Sequence, residues 1–375
     1  MKIRAAVLEA TGIQPPYAQT LPLVVREVDL APPGRGEVLV KIGAAGICHS
    51  DLSVIDGNRP RPLPMVLGHE AAGTVMELGE GVSDLAPGDH VVFVFVPSCG
   101  HCMPCSEGRP ALCEPAAAHN GAGELTSGER RLSFNGHPVH HHVGVSAFAE
   151  YAVVSRLSLI KIGPETPFEI AALFGCAVLT GVGSVINTNS VKAGSTVAVV
   201  GLGGVGLSAV LGAIAAGAER VIAIDRLDDK LAFARSLGAT DTFNAGDETV
   251  IADVRDATRG GVDVAIEMAG SVKALELAYA ITRRGGTTVT GGLPNPKAML
   301  TLPALSLVAE ERTIKGSYIG TSVPMRDLPR LLALYGRGRL PVDRLLTHRL
   351  PLDDVNIGLD RLRVGEAIRQ IITFD

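Results

Sequence analysis

An apolar run, Thr196–Val200, leads directly into Gly201-Leu-Gly203-Gly204-Val205-Gly206 and then into small residues through Ala216. A strand, a glycine turn and a helix satisfy this pattern. The glycines permit a tight turn and close backbone approach, so a pyrophosphate can sit on the helix N-terminus. G-x-G-x-x-G alone is a weak signal in a chain with 44 glycines. Its setting strengthens it, because Asp225 ends the next apolar run, nineteen residues after Gly206. A carboxylate there can accept hydrogen bonds from ribose hydroxyls and would repel a 2′-phosphate, which favours NAD over NADP. Arg226 weakens that preference, and a glycine turn holding no ligand is the bland alternative. The uncharged stretch Ala193–Ala218 is long enough to span a bilayer, but its glycine cluster breaks it into two pieces. No membrane segment is expected.

The rest of the chain supports an α/β unit around this turn. Arg220–Ile224, Asp263–Glu267 and Thr287–Thr290 read as buried strands. Helices are expected over Asp229–Leu237 and near Lys273–Thr282. That alternation implies a doubly wound parallel sheet. Before about residue 160 the pattern is different: Glu37–Ile42, Ala71–Leu78, His90–Val96 and Ala149–Val154 are short β segments separated by Gly and Pro, which suggests a barrel-like unit. Pro115–His142 reads as a long polar loop, Asp327–Tyr335 and Asp353–Arg363 as amphipathic helices, and Arg369–Thr373 as a last strand.

A chain of 375 residues with 46% hydrophobic and 19% charged residues can fill a sizeable core over two domains. Its net charge of −5 argues against a polyanion-binding surface, so nucleic acid is not an expected partner. No secretory signal is readable at the N-terminus, and a cytoplasmic location is expected. Cysteine usage agrees. Cys99-x2-Cys102-x2-Cys105-x7-Cys113 packs four thiols into one lobe, as a closed tetrahedral structural Zn²⁺ site requires. Disulfides are the alternative, disfavoured in a large chain without an export signal.

A second set is dispersed along the chain, and spacing alone does not unite it. Cys48 in Gly46-Ile-Cys48-His49-Ser50-Asp51, His69-Glu70 after Gly68, and Cys176 in Gly175-Cys176-Ala177 could be buried thiols and a core histidine. Cys₂His is, however, a catalytic zinc set that leaves a fourth position open.

With these motifs in this order, the chain resembles the zinc-dependent medium-chain alcohol dehydrogenases, and its length and long loop resemble their dimeric branch. The match also includes the tail Gly365-Glu-Ala-Ile-Arg369. The resemblance implies a GroES-like β-barrel catalytic domain at 1–177 and 321–375. A Rossmann NAD-binding domain at 178–320 would be inserted between them, with the active site in the cleft. It implies two Zn²⁺ per chain, one catalytic on Cys48, His69 and Cys176 and one structural. Glu70 would be a possible transient ligand, and Asp51 would orient His69. Zinc would lower the pKa of a bound alcohol, whose carbon would give hydride to the nicotinamide. Ser50 resembles the hydroxyl that carries the proton outward. The relay often ends in a histidine, but Ser53 holds that place here. His49 and Arg369 match pyrophosphate contacts, Lys230 a ribose contact, and Thr180 and Val205 pack where the nicotinamide ring lies.

Pocket positions map to Phe95, His142, Val143, Leu293 and Tyr318. The apolar members suit an apolar alcohol, whereas His142 and Tyr318 could bond a second polar group; His140–His142 could equally be a solvated loop. The expected activity is hydride transfer between a primary alcohol, or its aldehyde, and NAD, in a homodimer formed by edge-strand pairing. Alternatives are a glutathione-adduct formaldehyde dehydrogenase, disfavoured by Ala117 where that branch has an arginine, and a polyol dehydrogenase. A zinc- and nucleotide-binding structural or sensor protein is the non-enzymatic reading.

Overall fold

The computed structural model describes residues 1–374, and the chain divides into two compact units. Among the described residues, the first comprises 1–176, 323–332 and 343–374; the second comprises 177–322 and 333–342. Residues 333–342 thus assemble with the second unit, where the sequence expectation had placed everything after 320 in the first.

In the first unit, Lys2–Leu8, Leu23–Leu30, Leu132–Phe134, His137–His141 and Met65–Val66 close into a barrel. A second sheet carries Leu159–Ile162, His90–Phe93, Glu70–Leu78, Glu37–Gly46, Arg369–Thr373 and Leu346–Pro351 in that order, with Tyr151–Ser155 also paired to Glu37–Gly46. Glu37–Gly46 pairs along both edges and buries most of its residues. The core is apolar, built from Val38, Val40, Ile42, Val75, Phe93 and Phe148 among others.

The long loop expected over 115–142 is not a loop. It holds a helix, Glu114–Ala122, and a hairpin of Leu132–Phe134 and His137–His141 that completes the barrel. Local polarity misled the reading, because hairpin strands facing solvent on one side need few apolar residues. Pro115 lies in the first turn of its helix, where the missing N–H costs nothing.

The second unit is a six-stranded parallel sheet in the order Asp241–Asn244, Arg220–Asp225, Thr196–Val200, Val262–Glu267, Thr282–Thr290, Thr313–Gly316. Order reverses between Thr196–Val200 and Val262–Glu267, as in dinucleotide-binding sheets. These two strands and Arg220–Asp225 are the most continuously buried, as strands covered on both faces must be. Helices Gly204–Ala215, Asp228–Leu237, Val250–Ala257 and Val272–Ile281 connect the strands. The stretch 193–218, tested above as a membrane span, is the first strand, the turn and the first helix. A different helical stretch, Phe168–Thr188, is long and apolar enough to cross a bilayer, but 89% of its apolar window is buried inside the protein.

Candidate functional site

Strand register brings the dispersed residues together. Gly46 pairs with Glu70 across the Glu37–Gly46 and Glu70–Leu78 strands, so the exit of one strand, leading to Cys48, meets the entry of the other at His69-Glu70. Ile371 pairs with Gly46 on the other edge, which brings Arg369 to the same corner. Cys176 lies on a π-helical turn, Phe174–Val178, a local widening frequent at functional sites. The ligand atoms of Cys48, His69, Glu70 and Cys176 all lie within 4.8 Å of one another, and all four residues are buried.

The cluster has donor atoms but no protein partners for two of them. Asp51 Oδ1 lies 3.0 Å from His69 Nδ1 and accepts from Gly68 N, while its Oδ2 accepts from Cys48 N. With Nδ1 engaged by Asp51, Nε2 is the His69 nitrogen that faces the cluster. Nε2 and Glu70 Oε1 are both buried without a hydrogen-bond partner. Such orphaned atoms are costly unless something binds them. Two thiols, an imidazole and a carboxylate form a donor set that a divalent metal fits.

The electrostatics agree. Its hydrogen bond with Cys176 draws the Cys48 thiol well below its ordinary value; the same bond, with burial, pushes Cys176 well above its own. Burial pushes the His69 imidazolium down, but Asp51 and Cys48 outweigh it and raise His69 to about 10. Burial likewise opposes ionisation of Asp51, yet His69 and His142 hold its carboxyl below the ordinary range. The corner gathers a thiolate and carboxylates in a dry place beside His69 and Arg369, a setting in which a divalent cation would replace the His69 proton.

Cys99, Cys102, Cys105 and Cys113 form the second donor cluster, again within 4.8 Å, with no disulfide among them. Backbone N–H groups already point at sulfur: Cys99 N donates to Cys113 Sγ at 3.2 Å and Cys102 N to Cys99 Sγ at 3.3 Å. The backbone N–H of His101 leads in lowering Cys99 to about 6, while burial pushes Cys105 to about 12. Four sulfurs leave a tetrahedral ion no open position.

In the second unit, Gly201 (φ 92°) opens the turn and a Cβ on Gly206 would stand 1.8 Å from Gly201 O, so that contact requires glycine. A Cβ on Gly203 would meet nothing within 4 Å, which leaves open space over the helix N-terminus formed by Gly204 and Val205. Asp225 braces this turn: Oδ2 accepts from Leu202 N at 2.7 Å and Oδ1 from Leu227 N at 3.1 Å. Arg226 is exposed, Lys230 half-buried, and Thr180 buried on Leu179–Gly183.

Several residues stand differently from expectation. Arg369, assigned to a phosphate, is buried and pairs with Glu70. His49 is exposed at the start of the His49–Ile55 helix, which also carries half-buried Ser50. The Ser53 hydroxyl donates to the His49 carbonyl at 2.9 Å. His140–His142 is not a solvated loop, since His141 ends a barrel strand and both His141 and His142 are buried. His142 Nδ1 lies 3.2 Å from Asp51 Oδ1, close but poorly aligned for a hydrogen bond. Its proximity to Asp51 and His69 was invisible in the spacing because register creates it. Phe95 stands edge-on to the His69 ring at 5.2 Å, and Val143 is buried with a positive φ. Leu293 and Tyr318, in the second unit, are 52% and 43% exposed. Sequence reasoning passed over Glu267, a buried carboxylate closing the otherwise apolar run Val264-Ala-Ile266; that lone acid at a strand end was the available signal.

Comparison with known proteins gives two family matches, the alcohol dehydrogenase GroES-like domain over residues 34–164 and the zinc-binding dehydrogenase family over 204–336. S-(hydroxymethyl)glutathione dehydrogenase from Escherichia coli is 39% identical, with 100% of both chains covered. Among solved structures, an alcohol dehydrogenase zinc-binding domain protein from Burkholderia ambifaria matches with a TM-score of 0.94 and 37% identity, covering 100% of this chain and 99% of that one. Benzyl alcohol dehydrogenase from Acinetobacter calcoaceticus matches with a TM-score of 0.93 and 32% identity, covering 100% of both.

Proposed function

The chain belongs to the zinc-dependent medium-chain alcohol dehydrogenase family, and from that premise we propose that it interconverts primary alcohols and aldehydes with NAD at the corner formed by Cys48, His69, Glu70 and Cys176. The enzyme class, with NAD and zinc as its cofactors, follows from the family; the residue roles are the proposal. The observation that carries it is the pair of buried, unpartnered donors, His69 Nε2 and Glu70 Oε1, facing two thiols.

Cys48, His69 and Cys176 would hold the catalytic zinc, and Cys99, Cys102, Cys105 and Cys113 the structural one. When bound, zinc would supply a Lewis acid that lowers the pKa of a substrate hydroxyl, and NAD would supply the hydride acceptor. Asp51 would hold the His69 ring from Nδ1, and a metal bound at Nε2 would displace the proton carried there in its absence. Glu70 balances charge in reserve, restrained by Arg369. Ser50 takes the hydroxyl proton outward. Ser53 is committed to the His49 carbonyl and is no base near neutral pH, so the proton leaves to solvent. Gly201, Gly203, Gly204 and Gly206 receive the pyrophosphate and Asp225 the adenosine ribose, assisted by Lys230. Thr180 and Val205 support the nicotinamide, and His49 remains a phosphate contact. Phe95, His142 and Val143 are proposed substrate contacts, as are Leu293 and Tyr318.

The test is zinc content together with absorbance of reduced nicotinamide across aliphatic, aromatic and polar alcohols. About two zinc ions per chain and turnover of primary alcohols are expected; full zinc occupancy with no turnover of any alcohol or aldehyde would leave the sensor reading instead. A second reading is favoured by the relative named S-(hydroxymethyl)glutathione dehydrogenase. Against it stands Ala117, exposed on Glu114–Ala122 and unable to pair with a carboxylate. Formaldehyde assayed with and without glutathione separates the two.

We also infer a homodimer and a cytoplasmic location. Thr313–Gly316 is an edge strand, and Met299, Leu305 and Val308 beside it in sequence are 82%, 77% and 79% exposed. Apolar exposure on this scale beside an open edge suits a partner subunit. Six unpaired cysteines suit a reducing compartment.

A further inference from the structure

Glu267 is a buried carboxylate, 1% exposed, that the roles above leave unused. It ends Val262–Glu267, in register with Val200 on one side and Thr290 on the other, each the last residue of its strand. It therefore stands at the carboxyl edge of the sheet where strand order reverses, the place at which doubly wound sheets bind dinucleotides.

From there it holds two loops. Its Oε1 accepts from Gly270 N at 2.6 Å, and its Oε2 accepts from Thr290 Oγ1 at 2.7 Å. Its backbone carbonyl accepts from Gly291 N at 3.0 Å and Gly292 N at 3.2 Å. The loops so tied press backbone on backbone. A Cβ on Gly292 would stand 2.2 Å from Gly270 N, and one on Gly270, at φ 67°, would stand 2.9 Å from Leu293 O. Contacts this close need glycine on both sides and something to hold them, because glycine loses the most conformational freedom on ordering. Both donors to the Glu267 carboxylate, the Gly270 N–H and the Thr290 hydroxyl, are neutral, so the carboxylate serves geometry rather than charge pairing.

We propose that Glu267 is a positioning residue for the nicotinamide cofactor: its carboxylate clamps the Met268–Gly270 loop to the Gly291–Leu293 loop, so that the cofactor-binding edge of the sheet is formed before NAD arrives. The inference rests on the NAD-binding reading of the second unit. Without the clamp the cofactor itself must order both loops, and its affinity falls by that cost.

The test uses the full-length zinc-loaded enzyme and the variants Glu267→Ala, Glu267→Gln and Thr290→Val. Amide exchange is followed without cofactor, and NADH binding by fluorescence. Glu267→Ala should accelerate exchange at Gly270, Gly291 and Gly292 while the cysteine corner stays protected. NADH affinity should fall about tenfold, the scale of one lost charge-assisted hydrogen bond. With NAD saturating, kcat should stay within about threefold, because the loss lies in cofactor binding. Glutamine can turn its carbonyl to Gly270 N–H and give its NH2 to Thr290 Oγ1, so Glu267→Gln should restore both readouts. If Glu267→Ala does not fold, Glu267→Gln at wild-type affinity and Thr290→Val weakened by about twofold to fivefold carry the point. Unchanged exchange and affinity in Glu267→Ala or in Thr290→Val overturns the clamp, as does Glu267→Gln failing as badly as alanine. Wild-type enzyme that binds no NADH would instead sink the cofactor reading, and the exchange measurement would still decide whether the clamp exists.

Discussion

Ser50 sits on the first turn of a short helix, two residues after Cys48 and one before Asp51. Its neighbours Cys48 and Asp51 have a metal and His69 as their proposed partners, which leaves the Ser50 hydroxyl as the proposed proton carrier. Ser50→Ala should lower turnover by about 10²–10⁴, the range for a lost proton-transfer group, with zinc content unchanged. Pre-steady-state hydride transfer at the wild-type rate would remove it from the relay. His141 makes a different prediction. Burial, more than the neighbouring positive charges, holds its imidazole down to about 3, and its Nε2 accepts from Arg131 N at 3.0 Å. The folded protein thus keeps His141 neutral while the unfolded chain takes up a proton below about 6.5. Its stabilising contribution is complete above that value and declines as pH falls toward about 3, by up to about 1.4 kcal/mol per pH unit. His141→Gln keeps an acceptor for Arg131 N but does not titrate. Its denaturation midpoint should fall less steeply between about pH 6 and pH 4 than the wild type's; parallel profiles would count against the assignment.

Among the elements, the glycine turn is the least tolerant of change. Gly206→Ala sets a methyl against the Gly201 carbonyl, a backbone atom that cannot swing aside. NADH affinity should drop at least about tenfold, or about 1.4 kcal/mol, with both zinc ions retained. Titrating NADH fluorescence reads this directly, and wild-type affinity would mean that the turn relaxes. This element was legible because its chemistry is local: strand, turn, helix and Asp225 lie within thirty residues of one another. The cysteine lobe was legible for the same reason. The Leu132–Phe134 and His137–His141 hairpin was not, since only its barrel partners make strands of so polar a segment.

At the level of the whole molecule, the exposed apolar residues of Ala304–Ala309 bear on assembly. Replacing Leu305 and Val308 together by Asp should shift the protein toward monomer at micromolar concentration, as light scattering after gel filtration would show. Neither side chain is buried within the chain, so the fold should survive with little change in stability, within about 0.5 kcal/mol per site. A dimer that persists in the double variant places the interface elsewhere.

Read alone, the amino-acid order determines whatever depends on neighbours in the chain: the strand-turn-helix that receives a dinucleotide, the four-cysteine lobe, and the change from β segments to alternating strands and helices. Resemblance supplied the link between Cys48, His69 and Cys176; spacing could not. Only the folded molecule decided what depends on pairing between distant strands. A single register, Gly46 opposite Glu70 and Ile371, assembles the proposed metal corner and turns Arg369 onto Glu70. Another, Glu267 between Val200 and Thr290, puts a carboxylate at the edge of the sheet. Register is set by which faces must be buried together, a property of two strands at once, and no single stretch of chain carries it.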